Sequence, residues 1–297
     1  MSPKHHTTLC DTDVPAELSG LLLLDWVVEK YEPTHMIAMF SGGHDSLVAT
    51  HVASRHPSLS FACHINTGIG VEETREFVRE TTKALHIPFK EYTAEGNRDR
   101  NGDADPQRIE DFIFEHGFPG PPQHYRMYQR LKERPLRHMI RELDRRPEDR
   151  TILVTGVRAE ESVRRTAHVD RVQVWEGTKL WVAPIWDMSK RDVNDYVDDH
   201  ELPRNPVVAN LHMSGECLCG AYAHDGELGE LELFYPEVAA HIKRLEAECQ
   251  ERGFPWGWEE RPPKWWDRVS RGEQILPEVA EFLCTSCNHR HGEQAHG

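Results

Sequence analysis

Long apolar runs are missing from this chain, and lysine is scarce. The four leucines at 21–24 are followed directly by Asp25, so no stretch reaches the length of about 20 apolar residues that a membrane-spanning helix needs. The N-terminal residues also lack a signal-peptide pattern. We therefore expect a cytoplasmic protein with no membrane partner.

Only nine lysines accompany 26 arginines, and the formal net charge of the 297 residues is −15. An acidic, lysine-poor surface stays hydrated at high salt, and it argues against a protein that coats nucleic acid unaided. Seven cysteines, an odd number, indicate metal or thiol chemistry before disulfides. The length and the apolar share of 38% allow one large domain, or one domain with a substantial appendix.

Segments of strand and helix periodicity alternate along the first two thirds of the chain. Strands are predicted at 35–40, 60–65, 89–93 and 151–155, with a hairpin at 171–182. Helices are predicted at 17–31, 45–55, 71–86, 105–116 and 189–199, with an arginine-rich helical stretch up to about 145. This alternation predicts an α/β fold with a doubly wound, mostly parallel sheet, whose ligands bind beyond the carboxyl ends of the strands.

We divide the chain into three parts on composition. Residues 1–34 form a helical lead-in, residues 35–206 the α/β domain, and residues 207–297 a smaller helical region rich in cysteine and tryptophan. Four tryptophans in the last part are expected in a core or an interface: Trp256, Trp258, Trp265 and Trp266.

The segment Ser41-Gly-Gly-His-Asp-Ser46 joins a predicted strand to a predicted helix. Free N–H groups and the helix dipole favour a phosphate or pyrophosphate at such a junction. Gly42 and Gly43 permit close approach, while Asp45 either caps the helix or helps to position a metal. Neither a Gly-Lys-Ser/Thr loop nor Gly-x-Gly-x-x-Gly is present, which excludes the two commonest nucleotide motifs.

Ser-Gly-Gly-x-Asp-Ser directly after a strand resembles the PP-loop of ATP pyrophosphatases, which include phosphoadenosine phosphosulfate (PAPS) reductases and tRNA thiolation enzymes. Four further segments resemble PAPS reductases in the right order: residues 66–78, with Asn66 in place of the usual Asp, residues 127–136, residues 155–165 and residues 184–206. In the second of them Met127 and Tyr128 occupy the positions of two cysteines in the iron–sulfur reductases. The resemblance covers 35–206 and implies an adenine nucleotide α-hydrolase-like fold. It also implies cleavage of ATP to AMP and pyrophosphate.

The same resemblance implies the site residues. Ser41, Asp45, Ser46, Lys132 and Arg158 are the expected catalytic residues. ATP and Mg²⁺ are the expected ligands, and the nucleotide would be held by Ser41, Gly42, Gly43, His44, Asp45, Ser46, Thr67, Gly68, Gly156, Arg158 and Arg165.

Two cysteine pairs, Cys217-Leu-Cys219 and Cys284-Thr-Ser-Cys287, can supply four thiolates to a metal. Because iron–sulfur clusters recur in the sulfur-handling branches of the family, a [4Fe-4S] cluster is the first expectation. Structural zinc and a redox dithiol at 284 and 287 are the alternatives. Cys249 is a reserve ligand whose surroundings favour simple packing.

The reductase's catalytic motif, Glu-Cys-Gly-Leu-His near the C-terminus, has no counterpart here. The chain therefore looks most like the ATP pyrophosphatase components of DNA phosphorothioation systems, of the DndC and SspD type. This implies an ATP pyrophosphatase that activates the DNA backbone for sulfur incorporation. The implied partners are a cysteine desulfurase and other phosphorothioation subunits, and self-association into a homo-oligomer is a further expectation.

Three alternatives stay open at this point: a sulfonucleotide reductase of sulfate assimilation, a tRNA thiolation enzyme, and a non-catalytic nucleotide-binding module. The protein would bind DNA through its partners or through a local stripe of arginines. That stripe, which its acidic neighbours could equally neutralise, consists of Arg126, Arg130, Arg134, Arg137, Arg141 and Arg145.

Overall fold

The structure, a computed structural model, describes residues 9–10, 13–93, 108–160, 170–175 and 178–263. By compactness the chain forms two units, one of Met1–Gln107 with Gln129–Leu218 and one of Arg108–Tyr128 with Cys219–Gly297. These units do not test the division at residues 34 and 206, which stays a prediction. No described helix combines the length and the apolar character needed to cross a membrane.

The first unit holds all seven described strands and six helices. The strands are β1 (Leu9–Cys10), β2 (His35–Met39), β3 (Leu59–Asn66), β4 (Phe89–Thr93), β5 (Thr151–Val154), β6 (Val172–Trp175) and β7 (Lys179–Val182). The helices are α1 (Gly20–Tyr31), α2 (His44–Ser54), α3 (Glu72–Ala84), α6 (Arg134–Leu143), α7 (Lys190–Asp199) and α8 (Pro206–Leu211).

The strands form one sheet in the order β1-β6-β7-β5-β2-β3-β4. Strands β7, β5, β2, β3 and β4 run parallel, whereas β6 pairs antiparallel with both β7 and β1. The order reverses at β2, whose outgoing chain is the 41–46 segment. The predicted fold class, a doubly wound and mostly parallel α/β sheet, is confirmed, and so is the hairpin.

Both faces of the sheet are covered by helices, as a parallel sheet requires. Met36 and Ala38 of β2 pack with residues of α1 and α2 on one face. Ile37, between them, packs on the other face with Leu136 and Met139 of α6. The unbroken apolar run of β2 follows from this two-sided burial.

The second unit contains α4 (Ile109–His116), a 3₁₀ turn (Pro121–Gln123), α5 (His124–Tyr128), α9 (Glu227–Phe234) and α10 (Pro236–Glu251). Cys249 of α10 is fully buried, and its thiol donates to Ile113 O at 3.5 Å. The indole N–H of Trp256 donates to Phe118 O at 2.9 Å, and Trp258 is 1% exposed. The packing roles expected for Cys249, Trp256 and Trp258 are confirmed, whereas Trp265 and Trp266 lie outside the described residues.

Two features depart from the predicted elements. The short strand β1 was not predicted, because its two residues gain strand geometry only by pairing with β6. The arginine-rich stretch is not one α-helix: a π-helical turn at Gln129–Glu133 precedes α6, whose second residue is Pro135. A proline cannot donate the backbone hydrogen bond of a regular helix, so the ladder is rearranged before it.

Candidate functional site

The 41–46 loop leaves the carboxyl end of β2 through two glycines with different surroundings. Gly42 has a left-handed backbone (φ +85°), and a Cβ there would lie 2.6 Å from Cγ2 of Thr74. Gly43 has an ordinary φ of −80°. A Cβ on Gly43 would make ordinary van der Waals contacts, at 3.9–4.0 Å from Ser214 Cβ, Ser41 Oγ and Ser46 Oγ, so this position has room for a methyl group. Gly42 is required by the fold, whereas Gly43 is not crowded by its neighbours.

Serine hydroxyls close the loop on itself. Ser46 Oγ donates to Gly43 O at 2.9 Å and accepts from Ser41 N at 3.3 Å, and it lies 3.1 Å from Ser41 Oγ. Ser46 is buried and Ser41 is exposed. Helix α2 begins at His44 with no side chain capping its first turn. Its N–H groups are therefore available to an anion, as the sequence predicts.

The chain after β5 lies directly against this loop. A Cβ on Gly156 would lie 2.5 Å from the carbonyl carbon of Asp45 and from Ser46 N. Arg158, which is 7% exposed, places Nε 3.1 Å from Asp45 Oδ1. Of the two roles predicted for Asp45, capping is not seen, and the carboxylate instead pairs with this guanidinium.

The ion pair between Arg158 and Asp45 leaves the Nε–H group of Arg158 without a hydrogen bond to any described residue. Although Nε is close to Asp45, no acceptor among the described residues lies where its N–H could make an aligned hydrogen bond. Buried N–H groups almost always have a partner, so an anionic ligand oxygen is the missing acceptor that this geometry favours. The structure thus brings together the loop, Gly156 and Arg158, while Arg165 lies outside the described residues.

His44 adds a second unsatisfied atom at the loop. Its Nε2 is buried without a hydrogen-bond partner among the described residues. Burial, followed by the positive charge of Arg204, lowers the pKa of His44 below its usual 6.5. The ring is therefore neutral at pH 7, and Nε2 can donate or accept a hydrogen bond according to its tautomer.

Lys132 lies in the π-helical turn, which packs against β3. The side chain is half-buried, and no ion pair or hydrogen bond joins it to any described residue. π-helical turns occur frequently at functional sites. A lysine without an ion-pair partner in the described ranges, placed in such a turn, fits the predicted role as a phosphate ligand.

Thr67 and Gly68, at the end of β3, differ in their availability. Thr67 is buried, with N and Oγ1 donating to Glu216 Oε1 and Glu216 O at 2.8 and 2.6 Å. Gly68 has φ +79°, and no atom lies within 4 Å of the position that a Cβ would take, although its N–H already donates to Asn66 Oδ1 at 2.9 Å. Of the two predicted ligand contacts, only Gly68 presents a free surface.

A buried ion pair between His64 and Glu216 lies beside Thr67, and sequence reasoning missed it. His64 Nδ1 is 2.8 Å from Phe40 O, and Nε2 is 2.8 Å from Glu216 Oε2. Both neighbours are acceptors, so both ring nitrogens donate. Burial alone would lower the pKa of His64, but the Glu216 hydrogen bond and charge, with the Phe40 carbonyl, raise it. The two residues are 152 positions apart in the sequence, so no local sequence pattern predicts their pairing.

The cysteines of the predicted metal site are only partly described. Cys217 is half-buried in the first unit, Cys219 is buried in the second, and Cys284 and Cys287 lie outside the described residues. Within the described ranges no group of three or more His, Cys, Asp or Glu side chains could hold a metal ion. The four-thiolate site stays a prediction.

The arginine stripe is neutralised in places. Arg137 pairs with Glu133 at 2.8 Å, and Arg145 Nε donates to Glu142 O at 3.2 Å. Arg141 is exposed and has no ion-pair partner in the part of the chain that the structure describes. Self-neutralisation is therefore seen at Arg137, and anion contact by the other members stays a prediction.

A sequence profile of the phosphoadenosine phosphosulfate reductase domain matches residues 35–214. The chain belongs to this family. The matched part includes the 41–46 loop, Lys132 and Arg158, and it ends just before Glu216 and the cysteines of the C-terminal region.

Two members of the PAPS reductase family from Vibrio vulnificus, strains CMCP6 and YJ016, are 26% identical to this chain over 208 residues, or 69% of it and 74% of theirs. Both are phosphoadenosine 5′-phosphosulfate reductases. Among solved structures, PAPS reductase from Candida auris in complex with phosphate has a TM-score of 0.48 at 18% identity, covering 65% of this chain and 85% of its own. NMN synthetase from Francisella tularensis has a TM-score of 0.46 at 15% identity, covering 85% and 92%.

Proposed function

We propose that this protein is an ATP pyrophosphatase that activates an acceptor oxygen for sulfur incorporation, and that the acceptor is the DNA backbone, as in phosphorothioate modification. The observation that carries the proposal is the 41–46 loop, whose uncrowded Gly43 adjoins an uncapped helix start and the unsatisfied Nε of Arg158. These are the features that a triphosphate, with its dense negative charge, would complete.

The proposed reaction needs positioning and charge neutralisation more than covalent chemistry. The acceptor oxygen forms a bond to the α-phosphorus of ATP while the bond from that phosphorus to the β-phosphate bridging oxygen breaks. Pyrophosphate leaves with the electron pair, held by the N–H groups of the loop, and AMP stays on the acceptor. Lys132 and Arg158 balance the charge that develops on the phosphate oxygens.

Mg²⁺ fits this arrangement through Asp45. One carboxylate oxygen faces Arg158, and the other has no partner among the described residues. A Mg²⁺ ion commonly takes one or two carboxylate oxygens, with phosphate oxygens and water completing its shell. Bound there, the ion would neutralise phosphate charge.

For the cysteines we propose a [4Fe-4S] cluster on Cys217, Cys219, Cys284 and Cys287, with zinc as the alternative. Four thiolates suit either group. A cluster would supply a binding site for sulfur species, whereas zinc would only cross-link the two cysteine pairs and stabilise the fold. Visible absorbance of anaerobically purified protein, together with iron and zinc analysis, separates the two.

The proposed partners are a cysteine desulfurase that supplies sulfur and further phosphorothioation subunits that present the DNA. The net charge of −15 supports reliance on such partners, since it opposes unaided DNA binding. Exposed members of the arginine stripe, such as Arg141, would make the local backbone contacts.

The family and the Vibrio relatives favour a second candidate, sulfonucleotide reduction. It would require a mobile, exposed thiol, and of the four cysteines in the described side chains Cys217 alone is more than slightly exposed. Sulfite release from PAPS in the presence of thioredoxin would support the reductase. AMP and pyrophosphate release from ATP would support the pyrophosphatase.

Replacing Lys132 by alanine is expected to lower kcat/KM for pyrophosphate release about 10- to 100-fold, because one charge-assisted contact to the phosphates is lost. The measurement is coupled detection of pyrophosphate and AMP from ATP and Mg²⁺, with DNA and a sulfur donor present. Lys83→Ala, an exposed lysine on α3, is the matched control and should match the wild type. Equal rates for Lys132→Ala and the wild type would remove Lys132 from the site.

The two glycines of the loop should respond differently to a methyl group. Gly43→Ala should keep the melting temperature of the wild type, because a Cβ there has room, yet weaken ATP binding at least tenfold by filling the ligand space. Gly42→Ala should instead destabilise the protein by about 1–2 kcal/mol through left-handed strain. Thermal unfolding measures the stability of each variant, and calorimetric titration measures its affinity for ATP. Unchanged ATP affinity in Gly43→Ala would mean that the phosphates bind elsewhere.

A further inference from the structure

The 214–218 segment, which ends in Cys217 and Leu218, pairs with the turn between β3 and α3. Val71 N donates to Gly215 O at 2.8 Å, and Leu218 N donates to Ile69 O at 2.7 Å. Gly70 lies so close to Glu216 O that a Cβ would overlap with it. This short, strand-like contact fixes the backbone on both sides of Cys217.

One chain of hydrogen bonds joins this segment to the entrance of the 41–46 loop. Phe40, the residue before Ser41, offers its carbonyl oxygen to His64 Nδ1, and His64 Nε2 donates to Glu216 Oε2. The second carboxylate oxygen, Oε1, accepts from Thr67 N. Glu216 thus reaches the loop through a single intervening side chain.

A second, separate chain starts inside the loop. Gly42 O accepts from Asn205 Nδ2 at 3.0 Å, and the same amide nitrogen donates to Thr74 Oγ1 at 3.1 Å. Thr74 Oγ1 in turn donates to Ser214 O at 2.5 Å. Asn205 and Thr74 are 1% and 0% exposed, so water cannot replace either partner.

The charges around Glu216 leave its carboxylate little freedom. His64 and Arg75 are both at least nine-tenths buried, and Arg75 Nε lies 3.9 Å from Glu216 Oε2. Nε and Nη2 of Arg75 have no hydrogen-bond partner among the described residues. A movement of Glu216 would leave two buried cations without their shared anion, which opposes any independent motion of the segment.

We propose that Glu216 is a positioning residue that couples the 41–46 loop to Cys217, so that a nucleotide bound at the loop changes the accessibility of the Cys217 thiol. The inference rests on the proposed function, because it requires a nucleotide at the loop. A ligand that shifts the carbonyls of Phe40 or Gly42 must either move the 214–218 segment or break buried hydrogen bonds. In the proposed reaction, sulfur handling at Cys217 would thereby depend on bound ATP.

Because a metal held by Cys217 would itself block alkylation, the test uses the full chain after anaerobic removal of iron and zinc with a chelator. It measures the rate at which N-ethylmaleimide labels Cys217 with and without added Mg²⁺ and the non-cleavable analogue α,β-methylene ATP. Tandem mass spectrometry assigns the label, and calorimetry gives the affinity for the analogue in the same samples. Cys63 and Cys249 are internal controls, because burial raises their pKa to about 12 and about 11 and keeps them unreactive.

In the wild type the analogue should change the Cys217 labelling rate at least fivefold, in the range of ordinary coupling between sites. In Glu216→Gln the ratio of the Cys217 labelling rates with and without the analogue should fall to about one. The affinity of this variant for the analogue should stay within about threefold of the wild-type affinity. Glu72→Gln removes a carboxylate that faces the same arginine without touching the 214–218 segment, and it should behave as the wild type. If Glu216→Gln does not fold, Thr74→Val interrupts the second chain without removing a charge, and the ratio should fall there.

A wild-type ratio near one with the analogue bound would overturn the coupling and leave the proposed function standing. A ratio that survives in both Glu216→Gln and Thr74→Val would also overturn it. No binding of the analogue to the wild type would overturn both the coupling and the proposed function.

Discussion

Replacing Gly156 by alanine should lower pyrophosphate release at least 100-fold and weaken ATP binding by a comparable factor. The added Cβ would lie 2.5 Å from the carbonyl carbon of Asp45 and from Ser46 N, and 2.6 Å from Asp45 O. These are backbone atoms of the loop and of the first turn of α2, so they cannot rotate away as a side-chain tip can. The loop itself must move, and a displacement of about 1 Å at a reacting centre costs roughly 100-fold.

The measurement pairs calorimetric ATP titration with the pyrophosphate assay. Gly229→Ala, at a helical glycine of α9 with no atom within 4 Å of its Cβ position, is the matched control and should match the wild type. Since the same clash could unfold the protein, circular dichroism of Gly156→Ala is needed as well. A folded Gly156→Ala protein with wild-type turnover would show that the loop geometry is irrelevant to activity.

Local patterns were sufficient to predict the sheet and the loop. The apolar run of β2 predicts a strand buried on both faces, and residues 41–46 predict a turn into a helix, because both depend on residues adjacent in sequence. The hairpin followed from alternation on either side of Glu176 and Gly177. Element ends differ from the prediction by one to a few residues, as they do wherever tertiary contacts decide the last turn.

The contacts that complete the site could not be predicted in this way. Asn205 lies 163 residues from Gly42 and 131 from Thr74, and His64 lies 152 residues from Glu216. Such pairs leave no periodic trace in one sequence, since each member resembles an ordinary polar residue of its own segment. Glu216 stands directly before Cys217, as Glu stands before Cys in the reductase motif, but this adjacency does not indicate a partner as distant as His64.

Asp45 illustrates why even a well-placed motif residue needs the fold to define its role. From the sequence it could cap α2 or hold a metal. Its pairing with Arg158 depends on the chain after β5, more than 100 residues later, crossing beside the loop. The second role remains compatible with that pairing, because the ion pair uses a single carboxylate oxygen.

Replacing Glu216 by alanine should reduce the free energy of unfolding of the first unit by about 3–5 kcal/mol, as expected when one partner of a buried ion pair is removed. Glu216 is 3% exposed and accepts from both His64 and Thr67. Its loss leaves the His64 imidazolium buried without that carboxylate and leaves Arg75 with its ion pair to Glu72 at 2.9 Å. Urea unfolding measures the change, and Asp195→Ala, from an exposed pair with Arg191, should change stability by at most about 0.5 kcal/mol.

A double variant separates a charge effect from a packing effect. If the cost comes from uncompensated charge, His64→Leu combined with Glu216→Leu should recover much of the loss, since apolar replacements of a buried pair are often neutral. If the cost comes from the shape of the carboxylate, the double variant should be no more stable than Glu216→Ala. A loss below about 1 kcal/mol in Glu216→Ala itself would mean that the pair is open to water. The rigid link between the 41–46 loop and Cys217 would then lose its basis.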